Sequence, residues 1–224
     1  MVKKENVVQE EREERRIARR ERRRSQSREE ILEGAERLLL REGVGAVTVD
    51  KVAKEVALTK AALYYYFSSK EELLFQVMFR HLMAEAEAVS AAVERTDNGA
   101  DALKAIIRTV VEHYRGNMHT FRLIYMHGQV AGPVFSPAGE MLERVRPING
   151  LMYGGAQARL EQDRRDGLLP DETEPRRLAF VAHMAALGVL TMKGMVEVAG
   201  DPLIHTDEAL IEELQLAFTK AARK

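Results

Sequence analysis

The 224-residue chain contains no cysteine, and only 15 glycines and 6 prolines. The first absence excludes disulfides, thiolate catalysis and cysteine-ligated zinc, leaving a purely histidine or carboxylate site as the only open metal chemistry. Scarce Gly and Pro beside abundant Leu, Ala, Glu and Arg favour an all-helical protein over a sheet-rich one. No stretch reads as apolar for the length needed to cross a bilayer, and no apolar run follows the charged N-terminus as a secretory signal requires. A soluble, cytoplasmic protein without a membrane partner is therefore expected. The motifs of helical enzymes are missing too. There are no Glu-x-x-His pairs for a di-iron site, no His-Glu-x-x-His and no phosphate-binding loop, since Gly43-Val44-Gly45 has no preceding strand. His81 and Glu85 stand four apart, a spacing usual for a surface pair. No enzyme, metal or cofactor is expected.

The length can bury a sizeable core, either as one large domain or as a small domain joined to a larger one. Formal net charge is −1, which hides an asymmetry: residues 1–80 hold 18 Lys/Arg against 15 Asp/Glu, and the remainder is net acidic. The excess lies between Arg15 and Arg24, where Arg15, Arg16, Arg19, Arg20, Arg22, Arg23 and Arg24 face the single acid Glu21. Such a density attracts phosphate. It fits a solvated, frayed helix and a DNA-contacting arm equally well.

Residues 1–26 lack an apolar face and read as a charged extension, disordered or helical by context. Ser27 and Glu30 form a capping box, after which Ile31, Leu32, Ala35, Leu38 and Leu39 recur at helical spacing until Gly43. Thr48 caps a short second helix bearing Val49, Val52, Ala53 and Val56. Thr59 caps a third, which turns Leu63 and Phe67 inward. Two short helices across a tight turn suggest helix-turn-helix. Ser69 and Glu72 open a long fourth helix through Leu73, Leu74, Val77, Met78 and Leu82. Further helices are expected over about 100–117, 119–129, 137–166, 175–199 and 206–222, punctuated by Gly132-Pro133, Ser136-Pro137, Gly167 to Pro170 and Gly200-Asp201-Pro202.

A DNA interface needs donors for phosphates and a few side chains aimed at base edges. Thr48, Tyr64, Tyr65, Tyr66 and Lys70 supply hydroxyls and an ammonium. The N-terminal residues of a helix in the major groove reach bases, so Thr59, Lys60 and Ala61 are the expected readers. Lys60 suits guanine O6/N7, and the Ala61 methyl suits a thymine methyl. Three consecutive tyrosines cannot all face inward on one helix, so at least one phenol is expected at the surface.

The run Thr59-Lys60-Ala61-Ala62-Leu63-Tyr64-Tyr65-Tyr66-Phe67-Ser68-Ser69-Lys70-Glu71-Glu72, in register with Gly43 and Thr48, closely resembles the DNA-binding signature of the TetR family. The resemblance covers about residues 28–80. It implies that Tyr64, Tyr65 and Lys70 clamp the DNA backbone. It also implies an N-terminal three-helix DNA-binding domain (27–82, after the 1–26 extension), and a larger helical domain (83–224) that binds a small effector and dimerises. The family commonly has Gly at Ala57, where a left-handed alanine costs roughly 1 kcal/mol more. It often has Gly at Ala61 and His at Tyr66, changes that bear on operator sequence.

His113, Tyr114, Tyr125, His127, Tyr153 and His183 are polar groups within apolar helices and are the candidate effector ligands, accompanied by Phe121, Met126, Met152, Met184 and Met192. Gly154-Gly155 marks either a close helix crossing or a widening. Leu178, Val181, Ala182, Ala185, Ala186 and Val189, with Leu210, Leu214, Ala217 and Phe218, permit close helix packing, which the resemblance assigns to a homodimer interface. Pairing is favoured physically, because one short recognition helix reads too few bases for useful specificity. The expected function is that of a dimeric repressor, bound to a palindromic operator in double-stranded DNA and released by a small apolar or amphipathic effector.

Overall fold

A computed structural model describes residues 2–43, 45, 47–126, 140–199 and 205–223, and among them all regular structure is helical. The chain divides into two compact units, Met1–Val77 and Met78–Lys224.

In the first unit, α1 runs unbroken through Val2–Glu42. The Arg-rich segment is thus helical, and Ser27 lies inside the helix instead of capping it. Strong helix formers with interspersed Glu and Arg sustain a solvated helix where no apolar face exists. The apolar face begins where expected, with Ile31, Leu32, Ala35, Leu38 and Leu39 buried. Gly43, at φ +80°, ends the helix, and its N–H donates to Leu39 O at 2.8 Å.

Helices α2 (Val49–Glu55) and α3 (Lys60–Tyr66) follow, capped by Thr48 and Thr59. Between them Ala57 takes φ +53°. Ala57 N–H donates to Lys54 O and Leu58 N–H to Ala53 O, a Schellman turn built without glycine. Gly34 explains how closely α1 and α2 meet, since a Cβ there would lie 2.2 Å from Val56 Cγ1. Leu63 and Phe67 are buried with Val47, Val52 and Leu73.

Helix α4 (Lys70–Glu94) opens with a shifted capping box. Ser69 Oγ accepts from Glu72 N–H, while the Glu72 carboxylate accepts from the Ser68 N–H and hydroxyl.

The second unit is built around α5 (Gly99–Arg115), whose Leu103, Ile106, Ile107, Val110, Val111 and Tyr114 are buried. Asn98 caps α5, and the buried Asp163 carboxylate accepts from Gly99 N–H at 2.7 Å. Helix α6 (Met118–Phe121) continues into a π-helical turn, Arg122–Met126. After it come α7 (Glu140–Arg165), α8 (Pro175–Ala199) and α9 (Asp207–Ala221). Gly155 proves to be a close crossing, because its Cβ would stand 3.0 Å from Val93 Cγ1, whereas Gly154 faces open space.

Two sequence readings change here. Pro175–Met195 in α8 is, by length and composition, apolar enough to span a bilayer. Its leucines, valines, methionines and alanines make it so, and Ala179, Ala182, Ala186, Leu187, Val189 and Leu190 among them are buried in the core of the unit. The residues singled out on α8 also divide: Ala182, Ala186 and Val189 belong to the intramolecular core, while Val181 is exposed alongside Phe180, Met184, Met192 and Met195.

Candidate functional site

In the first unit, α3 buries Leu63 and leaves Lys60, Ala61, Tyr64 and Tyr65 on one exposed face at i and i+4 spacing. Tyr64 is 46% and Tyr65 58% exposed, high values for aromatic rings. Thr48 Oγ1 accepts from Lys51 N–H at 3.2 Å and Thr59 Oγ1 from Ala62 N–H at 3.1 Å. Each cap uses an oxygen lone pair and leaves the hydroxyl hydrogen available to an outside acceptor. Lys60 Nζ donates to Asp50 Oδ2 at 2.9 Å, and this bond, with the charge of Asp50, raises the ammonium's pKa. A base reached by Lys60 must therefore share it with Asp50.

Tyr66 and Lys70 are half-buried. The Tyr66 ring meets Tyr65 edge-on at 5.1 Å, and its carbonyl accepts from Arg28 Nη1 at 3.0 Å. The Arg24 guanidinium stands 5.4 Å from the Tyr65 ring centroid and Arg28 4.4 Å from that of Phe67, so the end of the arginine segment lies against α3 and the residue that follows it.

The second unit encloses a polar network to which five elements contribute one residue each. Glu85 of α4 is fully buried. Its Oε2 accepts from Tyr114 O–H of α5 at 2.7 Å and from Tyr125 O–H of the π-helical turn at 2.6 Å. Its Oε1 meets His183 Nε2 of α8 at 2.8 Å, and His183 Nδ1 meets the Tyr153 hydroxyl of α7 at 2.5 Å. Burial pushes the Glu85 pKa up, but the hydrogen bond and charge of His183 and the two tyrosine hydroxyls outweigh it, leaving the carboxyl below its usual value. Burial, and then the Glu85 charge, push Tyr114, Tyr125 and Tyr153 far up, so all three are neutral phenols.

Tyr125, Tyr153 and His183 also form the polar wall of a cavity of about 510 Å³. Its remaining lining is mostly apolar, with Leu82, Phe121, Ile148, Met152, Phe180 and Leu187 prominent and Asn149 and Thr191 as further polar groups. A chamber of this size and character suits a small ligand with an apolar body and a few polar atoms.

Three of the six candidate effector residues, Tyr114, Tyr125 and His183, thus meet one carboxylate directly, and a fourth, Tyr153, joins them through His183. Tyr114 supports the network from behind and does not line the cavity. His113 lies outside both, its ring packed edge-on against Tyr114 at 4.7 Å, and burial, reinforced by His81, lowers its pKa against the pull of Glu85. His127 falls outside the described residues.

Sequence reasoning took Glu85 for the surface partner of His81. Its buried place was signalled by its register, between Leu82 and Ala86 and four before Val89, on the stripe that α4 turns to the core.

Residues 31–77 match the family model described as bacterial regulatory proteins, tetR family. The transcriptional activator FasR of Mycolicibacterium smegmatis is 29% identical over 106 residues, 47% of this chain and 48% of that protein. The nucleoid occlusion factor SlmA of Haemophilus ducreyi is 31% identical over 86 residues, 38% of this chain and 43% of its own length. The chain thus spans less than half the length of these curated relatives. Among solved structures, the regulator FadR from Bacillus subtilis, in complex with stearoyl-CoA, superimposes with a TM-score of 0.65 at 14% identity, covering 86% of this chain and 97% of that one. The last likeness establishes a shared fold across both units.

Proposed function

Since this chain belongs, through residues 31–77, to the tetR family of bacterial regulatory proteins, we propose that it is a cytoplasmic, homodimeric repressor released from a palindromic operator by a small apolar or amphipathic effector. The observation that carries the reading is the face of α3, where Lys60, Ala61, Tyr64 and Tyr65 stand exposed together. Thr59, Lys60 and Ala61 read base edges from the start of that helix. Thr48, Tyr64, Tyr65, Tyr66 and Lys70 hold phosphates.

Pairing is supported by α8, which leaves Phe180, Val181, Met184, Met192 and Met195 exposed. The cavity holds the effector, with its apolar body against Ile148, Met152 and Leu187 and its polar end toward Tyr125, Tyr153 and His183. The stearoyl-CoA bound by FadR is one instance of the amphipathic class. Helix α4 carries both Lys70 and Glu85, so a ligand that prefers a different setting of α4 disfavours the DNA-binding form. A differential affinity worth a few kcal/mol is enough to shift such an equilibrium.

The test is selection of bound fragments from source genomic DNA at fixed, near-physiological salt, comparing wild type with Tyr65→Ala/Lys70→Ala. A recurrent inverted repeat, lost with the variant, is expected. A folded, ligand-free wild-type dimer that enriches no sequence would sink the proposal. Transcription from the recovered operator then gives the sign, rising with effector for a repressor and falling for an activator such as FasR is named to be.

A further inference from the structure

The polar wall of the cavity is one-sided in its hydrogen bonding. Tyr125 O–H donates to Glu85 Oε2 at 2.6 Å, and Thr191 Oγ1 donates to Leu187 O at 2.9 Å. Both hydrogens are committed to protein acceptors, so these two groups offer only oxygen lone pairs to the cavity. An ionised Glu85 only accepts, so His183 Nε2 must carry the hydrogen between them. His183 Nδ1 and the Tyr153 hydroxyl share the next hydrogen bond, so part of the capacity of Tyr153 is spent within the network. Among the described lining residues Asn149 alone carries free N–H groups, and none is lysine or arginine.

We propose that this cavity selects ligands whose polar end is a hydrogen-bond donor, such as a hydroxyl or an ammonium, and rejects carboxylates and acceptor-only groups such as ethers. The inference rests on reading the cavity as the effector site and adds the chemistry of its ligand. A carboxylate seated here meets lone pairs from Tyr125 and Thr191 and lies near the charge of Glu85. Among the described lining residues the one cationisable side chain, His183, is already bound to that glutamate. Desolvating an anion without a counter-charge is strongly unfavourable. An ether fares better, since Asn149 can donate to it, yet it leaves the lone pairs of Tyr125 and Thr191 without donors, and a site built mainly around one hydrogen-bonding sense discriminates against a ligand that lacks it.

The experiment is displacement of Nile red from the full chain by 1-octanol, octylammonium, octanoate and methyl heptyl ether at about pH 8, where octanoate is ionised and the amine remains a cation. Octanol and octylammonium should displace the dye at concentrations at least roughly tenfold below those needed for octanoate and the ether. Tyr125→Phe and Thr191→Val each remove one acceptor oxygen from the wall and should reduce the preference for octanol over the ether to about threefold or less. Glu85→Gln should narrow the margin against octanoate. Because Glu85→Gln risks unfolding the unit, the two milder variants, checked by circular dichroism, carry the test.

Octanoate or the ether binding as tightly as octanol, or an unchanged preference in both folded milder variants, overturns the inference while leaving the effector cavity in place. Failure of every probe to displace dye removes the cavity reading and the donor selectivity together.

Discussion

In the first unit the hydroxyls of Thr48, Thr59, Tyr64 and Tyr65 stand at the surface, whereas in the second those of Tyr114 and Tyr153 are buried with Glu85 and His183. The two arrangements divide the work of polar groups. Surface hydroxyls are solvated in the free protein, contribute little to folding and remain available to phosphate. Buried ones must satisfy each other, so the network's members depend on one another for stability, and the cavity that Tyr125, Tyr153 and His183 line inherits a hydrogen-bonding sense from them.

The largest effect that would break this comparison is expected at Glu85. Glu85→Ala strands two phenols and an imidazole and should destabilise the protein by about 3–5 kcal/mol, read from thermal or urea unfolding. A loss below about 1 kcal/mol would mean that the network is hydrated and not a packed core. The same carboxyl predicts an acid limb. Its folded pKa lies below its usual value through His183 and the two tyrosines, despite burial. Its stabilisation is therefore complete above the ordinary carboxylate range and fades as pH falls through the depressed folded value. Glu85→Gln should flatten that limb in a pH series of unfolding curves.

Tyr65→Ala/Lys70→Ala should behave in the opposite way, with operator affinity falling roughly 100-fold while unfolding free energy moves by less than about 1 kcal/mol. A matching loss of stability would show that these side chains pack instead of binding. Next comes Gly34→Ala, whose Cβ meets Val56 Cγ1. It should cost about 1–3 kcal/mol of stability by overpacking and weaken DNA binding only through that loss. Smallest is Ala57→Gly, which should raise the urea midpoint by an amount equivalent to about 1 kcal/mol by relieving the left-handed alanine at φ +53°.

What could be read in advance divides along the same line. The caps at Thr48 and Thr59, the stop at Gly43, the inward Leu63 and Phe67 and the need for an exposed phenol are all legible, because each depends on residues within a turn or two. The Arg-rich extension was open between helix and disorder, and α1 continues through it because nothing in that segment breaks a helix. Of the helix expected over 119–129, the described residues, through Met126, form α6 and a π-helical turn from which Tyr125 reaches Glu85, a detail that periodicity does not encode.

By itself, then, the sequence determined an all-helical chain, a helix-turn-helix with an exposed face on its second helix, and a set of polar residues placed on apolar helices. Only the tertiary structure decided that Tyr114, Tyr125, Tyr153 and His183 gather on Glu85 across as many as 98 positions of chain. It alone separated Gly155, pressed against Val93, from its neighbour Gly154. The reason is the reach of the forces involved. Capping and periodicity act between near neighbours in the chain. The pairing of buried polar groups is settled by which helices pack together, because each must find a partner wherever the fold leaves one.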